Sequence, residues 1–396
     1  MLRQIVIVLL LAVLFGGASL VNLGSADHPL DPSIIRLRYV MVGASLLTLV
    51  LMSGLKRLTF SSKPLPILLL WSLFSLTLVA SGIANNDSSI VRDGFWFMLG
   101  VNLIFFNALP KLMKEQANLL LGLALFLGIS PYIVISLVSY PLTILRYKGI
   151  FSNSNQLGLI GTTLAAGILI IFSGALLAKK SFSHILLIIS LFMGTLYLII
   201  CANARTSIIA VCTMFLLVIY QSLSRPEFLY KLGLIFTFIF STTLVVNSVQ
   251  INGFLNELSQ IFGDKIDRGV SGRDEIWKQT LKDSSLLGNG RDYFELNFGL
   301  GGHNSLIEII GQNGIIAAYL LIGFAVASFY YAYRYFKSCE KEDNYAIAPL
   351  IITVGFWVSS MGEGMFGSLG NAMTLAYMIS VGIVIAKLNI YGKKHR

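Results

Sequence analysis

Runs of about 20 apolar residues recur along most of the 396-residue chain, and no other feature limits its fold as tightly. A bilayer core takes roughly 20 predominantly apolar residues per spanning helix. Helices also satisfy every backbone polar group internally, as lipid requires. Runs that meet or approach this length lie at 5–23, 39–55, 64–83, 94–110, 118–140, 157–178, 184–202, 206–223, 230–249, 314–333, 346–361 and 370–388. They predict an all-α, polytopic integral membrane protein with about 12 transmembrane helices. Run 94–110 is short and run 346–361 has Pro349 near its start, features that neighbouring helices in a bundle accommodate. Composition agrees, with 12% charged residues against roughly 25% in soluble domains. That scarcity excludes a soluble enzyme and, with 56% hydrophobic residues, a disordered chain. Cys201, Cys212 and Cys339 lie in or beside apolar runs and fit neither a disulfide framework nor a zinc spacing.

Basic residues orient the spans. Arg3 before the first run and Gly24-Ser25-Ala26 after it have the look of a secretory signal, but a run of about 19 residues is long for one and favours a retained span. With the N-terminus inside, 17 of the 29 Lys and Arg fall in inside segments and 6 in short outside loops. This bias predicts cytoplasmic N- and C-termini, with the last span leaving the membrane near Leu388 before a short basic tail. The excess of ten positive charges is thereby accounted for by topology, and nucleic-acid binding has no support. The expected organisation is spans 1–9 in residues 1–249, an outer-face loop at 250–313, and spans 10–12 with the tail in 314–396.

The 250–313 segment is the exception to an otherwise compact chain. It holds 8 Asp and Glu and 6 Lys and Arg up to residue 303, and long loops in compact proteins are usually functional. Ser271-Gly-Arg-Asp274 has capping-box spacing, with Asp in place of Glu. The helix it would open places Ile276, Trp277, Thr280 and Leu281 on one face and should end near Gly288-Asn-Gly290. An interfacial helix anchored by Trp277 is the plainer alternative. Ser305-Leu-Ile-Glu308 is a fuller capping box, and His303 stands just before it. The positive end of that helix disfavours an imidazolium, which suits a neutral imidazole able to accept a proton. A histidine that merely satisfies loop backbone groups is the competing reading.

Arg205 closes the tight Ala202-Asn-Ala-Arg205 turn between the seventh and eighth runs, at outer headgroup depth. A cation there runs against the topological bias, which marks it as functional unless it only snorkels to lipid phosphates. The same face carries Arg146-Tyr-Lys148-Gly-Ile-Phe-Ser-Asn-Ser-Asn155.

Four stretches together resemble the bacterial O-antigen ligase and O-antigen polymerase superfamily. They are the basic Gly-x-Phe-x-Asn-x-Asn stretch ending at Asn155, and Ala-Arg-Thr-Ser at 204–207. Ser-Gly-Arg-x-x-x-Trp at 271–277 follows, running to Leu-Leu-Gly-x-Gly at 286–290, and then His-Asn-Ser-Leu-x-Glu-x-x-x-Gln-x-Gly at 303–314. The motifs cover about 140–325. The resemblance implies a multi-span glycosyltransferase of the bacterial cytoplasmic membrane, working on its outer face. Such an enzyme passes a glycan from undecaprenyl diphosphate to a glycolipid or oligosaccharide acceptor. The acceptor is lipid A core in ligases and another repeat unit in polymerases. By the same resemblance, the family's two functional arginines and its histidine fall on Arg205, Arg273 and His303. Arg146, Lys148, Asn155, Arg291 and Asn304 are the accompanying substrate-binding candidates. Nothing in the motifs separates ligase from polymerase, although overall size and the compact loop lean toward a ligase.

These residue types suit the reaction. Displacing a diphosphate from an anomeric carbon requires the diphosphate to be held, its charge stabilised and the attacking hydroxyl's proton accepted. Arginine binds phosphate oxygens bidentately and stays charged, and His303 is the expected base, with Glu308, Asp274 and Glu275 as weaker alternatives. The chain has no Asp-x-Asp pair, so direct displacement with inversion, without a metal or other cofactor, is expected. A twelve-span transporter or lipid-linked sugar flippase is the rival class, but the two halves look dissimilar and mid-span acidic residues are absent.

Overall fold

The computed structural model describes residues 1–24, 31–54, 65–143, 146–178, 181–223, 273–340, 342–366 and 371–394. Among the described residues every regular element is a helix, and β pairing is limited to one isolated antiparallel bridge, Leu23 to Phe151. The expected run at 230–249, the first part of the long loop and the Ser271-Gly272 cap lie outside the described residues.

Apolar run length decides most of the helices up to residue 223. They are α1 (Leu2–Ser19), α2 (Pro32–Ser53), α3 (Leu65–Ala84), the short α4 (Ser88–Phe95) and α5 (Leu109–Met113), α6 (Ala117–Ser139), α7 (Ser154–Leu177), α8 (Phe182–Cys201) and α9 (Arg205–Leu223). Three short helices follow, α10 (Arg273–Lys282), α11 (Tyr293–Phe298) and α12 (Ser305–Asn313). The chain then continues through α13 (Ile315–Cys339), α14 (Ala348–Ser360) and α15 (Ala372–Lys394). Eight described segments are long and apolar enough to cross a membrane. One of them, the 52-residue Ser88–Ser139, carries both the 94–110 and 118–140 runs. Between α4 and α5, Trp96–Ala108 winds more loosely, with bonds reaching five residues back as in Leu109 N–H to Ile104 O. Lys114, at φ +55°, interrupts the string before α6.

α14 and the apolar part of α15, Ala372–Leu388, are shorter than the other apolar helices. The 13 residues of α14 rise only about 20 Å at 1.5 Å each, less than a bilayer core. Its Pro349 lies in the first turn, where a missing N–H costs nothing, and most of the helix is buried. α7 is the centre of the bundle, with 94% of its apolar window covered by protein, and it packs against α6, α8, α9 and α14. Where α1 crosses α6, Gly128 lets the backbones approach so closely that a Cβ would strike the Ala12 carbonyl.

Polar side chains gather at the two ends of the bundle. At one end Asn118 donates to Tyr335 Oη and Asp343 Oδ2, both at 2.8 Å. Lys387 Nζ donates to Asp343 Oδ2 at 3.2 Å and to the Glu115 carbonyl at 2.9 Å. This knot ties α6, α13 and α15 with every buried charge paired, as a low-dielectric interior demands. The opposite end holds the loops that carry the candidate site.

Candidate functional site

The site is assembled on the short connection Met361–Phe366 between α14 and α15. Arg273, the first residue of α10, donates from Nη1 to the Gly362 carbonyl at 3.3 Å. Gly362 also lies against the Thr206 side chain, so closely that a Cβ there would overlap it. Arg205, partly buried at the start of α9, immediately precedes Thr206. One residue on, Glu363 directs Oε2 at His303 Nδ1 across 3.7 Å. Arg273 and His303 therefore meet one connection, and Arg205 is the residue before Thr206, which packs on it, although the three lie far apart in sequence.

Local conformation explains each placement. The Ala202–Ala204 turn closes with Asn203 at φ +55°, and Gly158 of α7 packs against Ala204 and Ser207 without room for a side chain. His303 adopts φ +49° just before α12, a left-handed residue at a helix entrance. Asn304, not Ser305, caps α12: its Oδ1 accepts from Leu306 N–H at 2.9 Å and Ile307 N–H at 3.2 Å. Its amide also donates to the Met361 carbonyl at 3.1 Å. Ser305 is drawn away from the expected capping role. It donates to the Glu363 carbonyl at 3.1 Å and accepts from Met365 N–H at 2.8 Å, pinning the connection to α12.

Glu308 departs from the expected box as well. Its Oε1 accepts from His303 N–H at 3.2 Å rather than reaching the cap residue. The carboxyl is wedged against Gly364, where any side chain would collide with it. Burial pushes its pKa up to about 7, against the lowering pull of His303 and with a smaller contribution from Glu363. Two carboxyl groups, Glu308 and Glu363, thus flank His303.

α10 is docked on protein through Trp277. Trp277 Nε1 donates to the Gly302 carbonyl at 2.8 Å, and the ring packs on a small cluster of Ile276, Tyr293, Phe294 and Ile307. Ile276 and Thr280 are buried as the helical spacing implies, but Leu281 is 54% exposed. The helix stops at Lys282, some residues before the expected Gly288.

Arg291 forms a second polar centre. Its N–H donates to Asp87 Oδ2 at 3.2 Å, and Nη1 pairs with Asp93 Oδ2 at 3.2 Å. Arg146 and Lys148 are exposed and Asn155 is partly buried. Their loop is fixed at the same end of the bundle by Tyr147 N–H to the Cys201 carbonyl at 3.0 Å and Ser152 N–H to the Asn22 carbonyl at 3.0 Å. Asn153, two residues before Asn155, caps α7. Sequence reasoning missed Glu363 and Asp93. The signal available was a carboxylate in an otherwise apolar region, Gly-Glu-Gly at 362–364 and Arg-Asp at 92–93.

No protein-family model matches the chain, and no curated protein matches it at a significant level.

Proposed function

We propose that the protein is an O-antigen ligase-like glycosyltransferase of a bacterial cytoplasmic membrane. In this reading it has about 12 spans, cytoplasmic termini and its site on the outer face. It moves a glycan from undecaprenyl diphosphate to a sugar hydroxyl of lipid A core or a similar acceptor. The observation that carries the reading is that Arg273 and His303 meet at Met361–Phe366, against which Thr206, the neighbour of Arg205, is packed.

Arg205 and Arg273 supply fixed positive charge where a polyprenyl donor would hold its phosphates. As the acceptor oxygen forms its bond to the anomeric carbon, the bond from that carbon to the diphosphate oxygen breaks. The leaving diphosphate keeps the electron pair, and positioned charge is worth most at that moment. The acceptor's proton passes to His303, whose ring is faced by Glu363 at Nδ1. Asn304 serves mainly as the cap of α12, which keeps the residue before it in place.

Reconstitution tests this. Purified protein in proteoliposomes with a polyprenyl diphosphate-linked glycan and a lipid A core acceptor should form the glycosidic product, with activity retained in excess chelator. His303→Ala should slow transfer by about 10²–10⁴-fold. Wild type that forms no product under these conditions would contradict the reading. Restoration of chelated enzyme by Mg²⁺ or Mn²⁺ would overturn the metal-independent displacement. Deleting the gene separates the two family chemistries: full-length chains left on the lipid carrier indicate a ligase, single repeat units on finished glycolipid a polymerase.

A further inference from the structure

A cavity of about 120 Å³ opens beside the candidate site, between α3, α4 and α12, with Phe366 of the connection in its wall. Its lining combines polar residues, Asp93, Arg291, Glu308 and Asn313, with apolar ones, Phe97 and Phe366 among them. The volume far exceeds the roughly 10–15 Å³ that admits one water. It falls below the roughly 300 Å³ where pockets for drug-sized ligands begin. Such a space suits one small ring rather than an extended chain.

Its charge also selects a guest. Arg291 is matched by Asp93 at 3.2 Å, and Glu308 adds a second carboxyl, so the cavity carries no surplus of positive charge for a diphosphate. The contact of Arg273 with Gly362 lies on the stretch before Gly364, whereas Phe366 and Glu308 face the cavity. Both members of the Asp93–Arg291 pair remain open, with side chains 29% and 37% exposed. A paired carboxylate and guanidinium offer acceptors and donors at a fixed spacing, and Phe97 and Phe366 add apolar wall. These are the features that grip the hydroxyls and the C–H face of a sugar.

We infer that this cavity is the pocket for the acceptor sugar, with Asp93, Arg291 and Asn313 as its hydroxyl-recognising residues and Phe97 and Phe366 as apolar wall. The inference rests on the glycosyltransferase reading for its role in transfer, but sugar binding by the cavity is tested separately. It assigns the donor and acceptor to opposite sides of the Met361–Phe366 connection. Glu308, which faces the cavity and contacts His303 N–H, stands where the two sides join.

The test uses the full chain in nanodiscs, as wild type, Asp93→Asn/Arg291→Gln and the charge exchange Asp93→Arg/Arg291→Asp. Thermal unfolding checks that each variant is folded. In transfer kinetics, the neutral double variant should raise the acceptor KM about 10- to 100-fold, the loss expected for hydrogen bonds to charged groups. Donor KM should stay within about twofold, because the arginines assigned to the diphosphate are untouched. A merely structural pair would be rescued by the charge exchange, and a normal acceptor KM in that variant would overturn the assignment. So would a rise confined to donor KM. Saturation-transfer NMR with glucose, galactose and N-acetylglucosamine at millimolar concentration provides the independent arm. Signal with wild type that is lost in the neutral variant supports the pocket, even if transfer fails and the enzyme reading falls with it. No signal with wild type, or signal unchanged in the folded neutral variant, overturns it.

Discussion

Glu308 shows how a single residue can join structure and chemistry. Its burial holds the carboxyl near half-protonation around neutral pH, while His303 N–H and Gly364 fix its position. The sign of the stability effect follows from proton binding. Between the ordinary carboxylate range and about pH 7 the folded state binds more protons than the unfolded one, so stability falls as pH rises through that window. Above it the full cost of burying the charge is present. Glu308→Gln keeps an oxygen for His303 N–H and removes the charge. The variant should therefore unfold later than wild type at pH 8, by about 1–3 kcal/mol, and show little difference at pH 5. Thermal unfolding in nanodiscs at the two pH values measures this, and a pH-independent difference would contradict the assignment. The identity of the cap was harder to read in sequence. Asn304 and Ser305 are both good N-cap residues, and the choice between them depends on Ser305 binding Glu363 and Met365, 58 and 60 positions away.

At the scale of elements, α10 and α12 are held as a pair by a few specific contacts. Helical spacing correctly buries Ile276 and Thr280. It did not reveal that Trp277 turns toward protein, because an indole suits a membrane interface and a protein groove equally well. Trp277→Phe keeps most of the ring contact and removes the N–H that meets Gly302. Losing that one bond should cost about 0.5–1.5 kcal/mol of local stability. Amide exchange across Gly301–Asn304 should then speed up by about 2- to 10-fold, with the bundle helices unaffected. Unchanged exchange there would show that packing alone docks α10. The looser winding of Trp96–Ala108 was not legible either, since an apolar run carries the same signal whichever bond pattern closes it.

For the molecule as a whole, the helical architecture was legible because bilayer thickness imposes a length on every apolar run. Exceptions arise where a helix is enclosed by others: α14 can be short because α7, α9 and α15 surround it, not lipid. The candidate site was legible only in part. Arg205, Arg273 and His303 stood out by motif, but Met361–Phe366, which touches Arg273, His303 and Thr206, the neighbour of Arg205, reads in sequence as an ordinary short connection. The basic residues divide by what they touch. Lys387 closes a buried knot with Asp343 at one end of the bundle, whereas Arg273 reaches the connection at the other.

Arg205 and Arg273 are assigned to one site that acts on a diphosphate-linked donor. The most direct measurement is the single-turnover rate of glycan transfer in proteoliposomes by wild type, Arg205→Ala and Arg273→Ala, each checked for folding and equal insertion. Each substitution should lower the rate by about 10²–10³-fold, the scale of removing one positioned charge-stabilising group. Their combination should cost less than the product of the two, because groups in one site are not additive. Wild-type rates in both folded single variants would contradict that assignment.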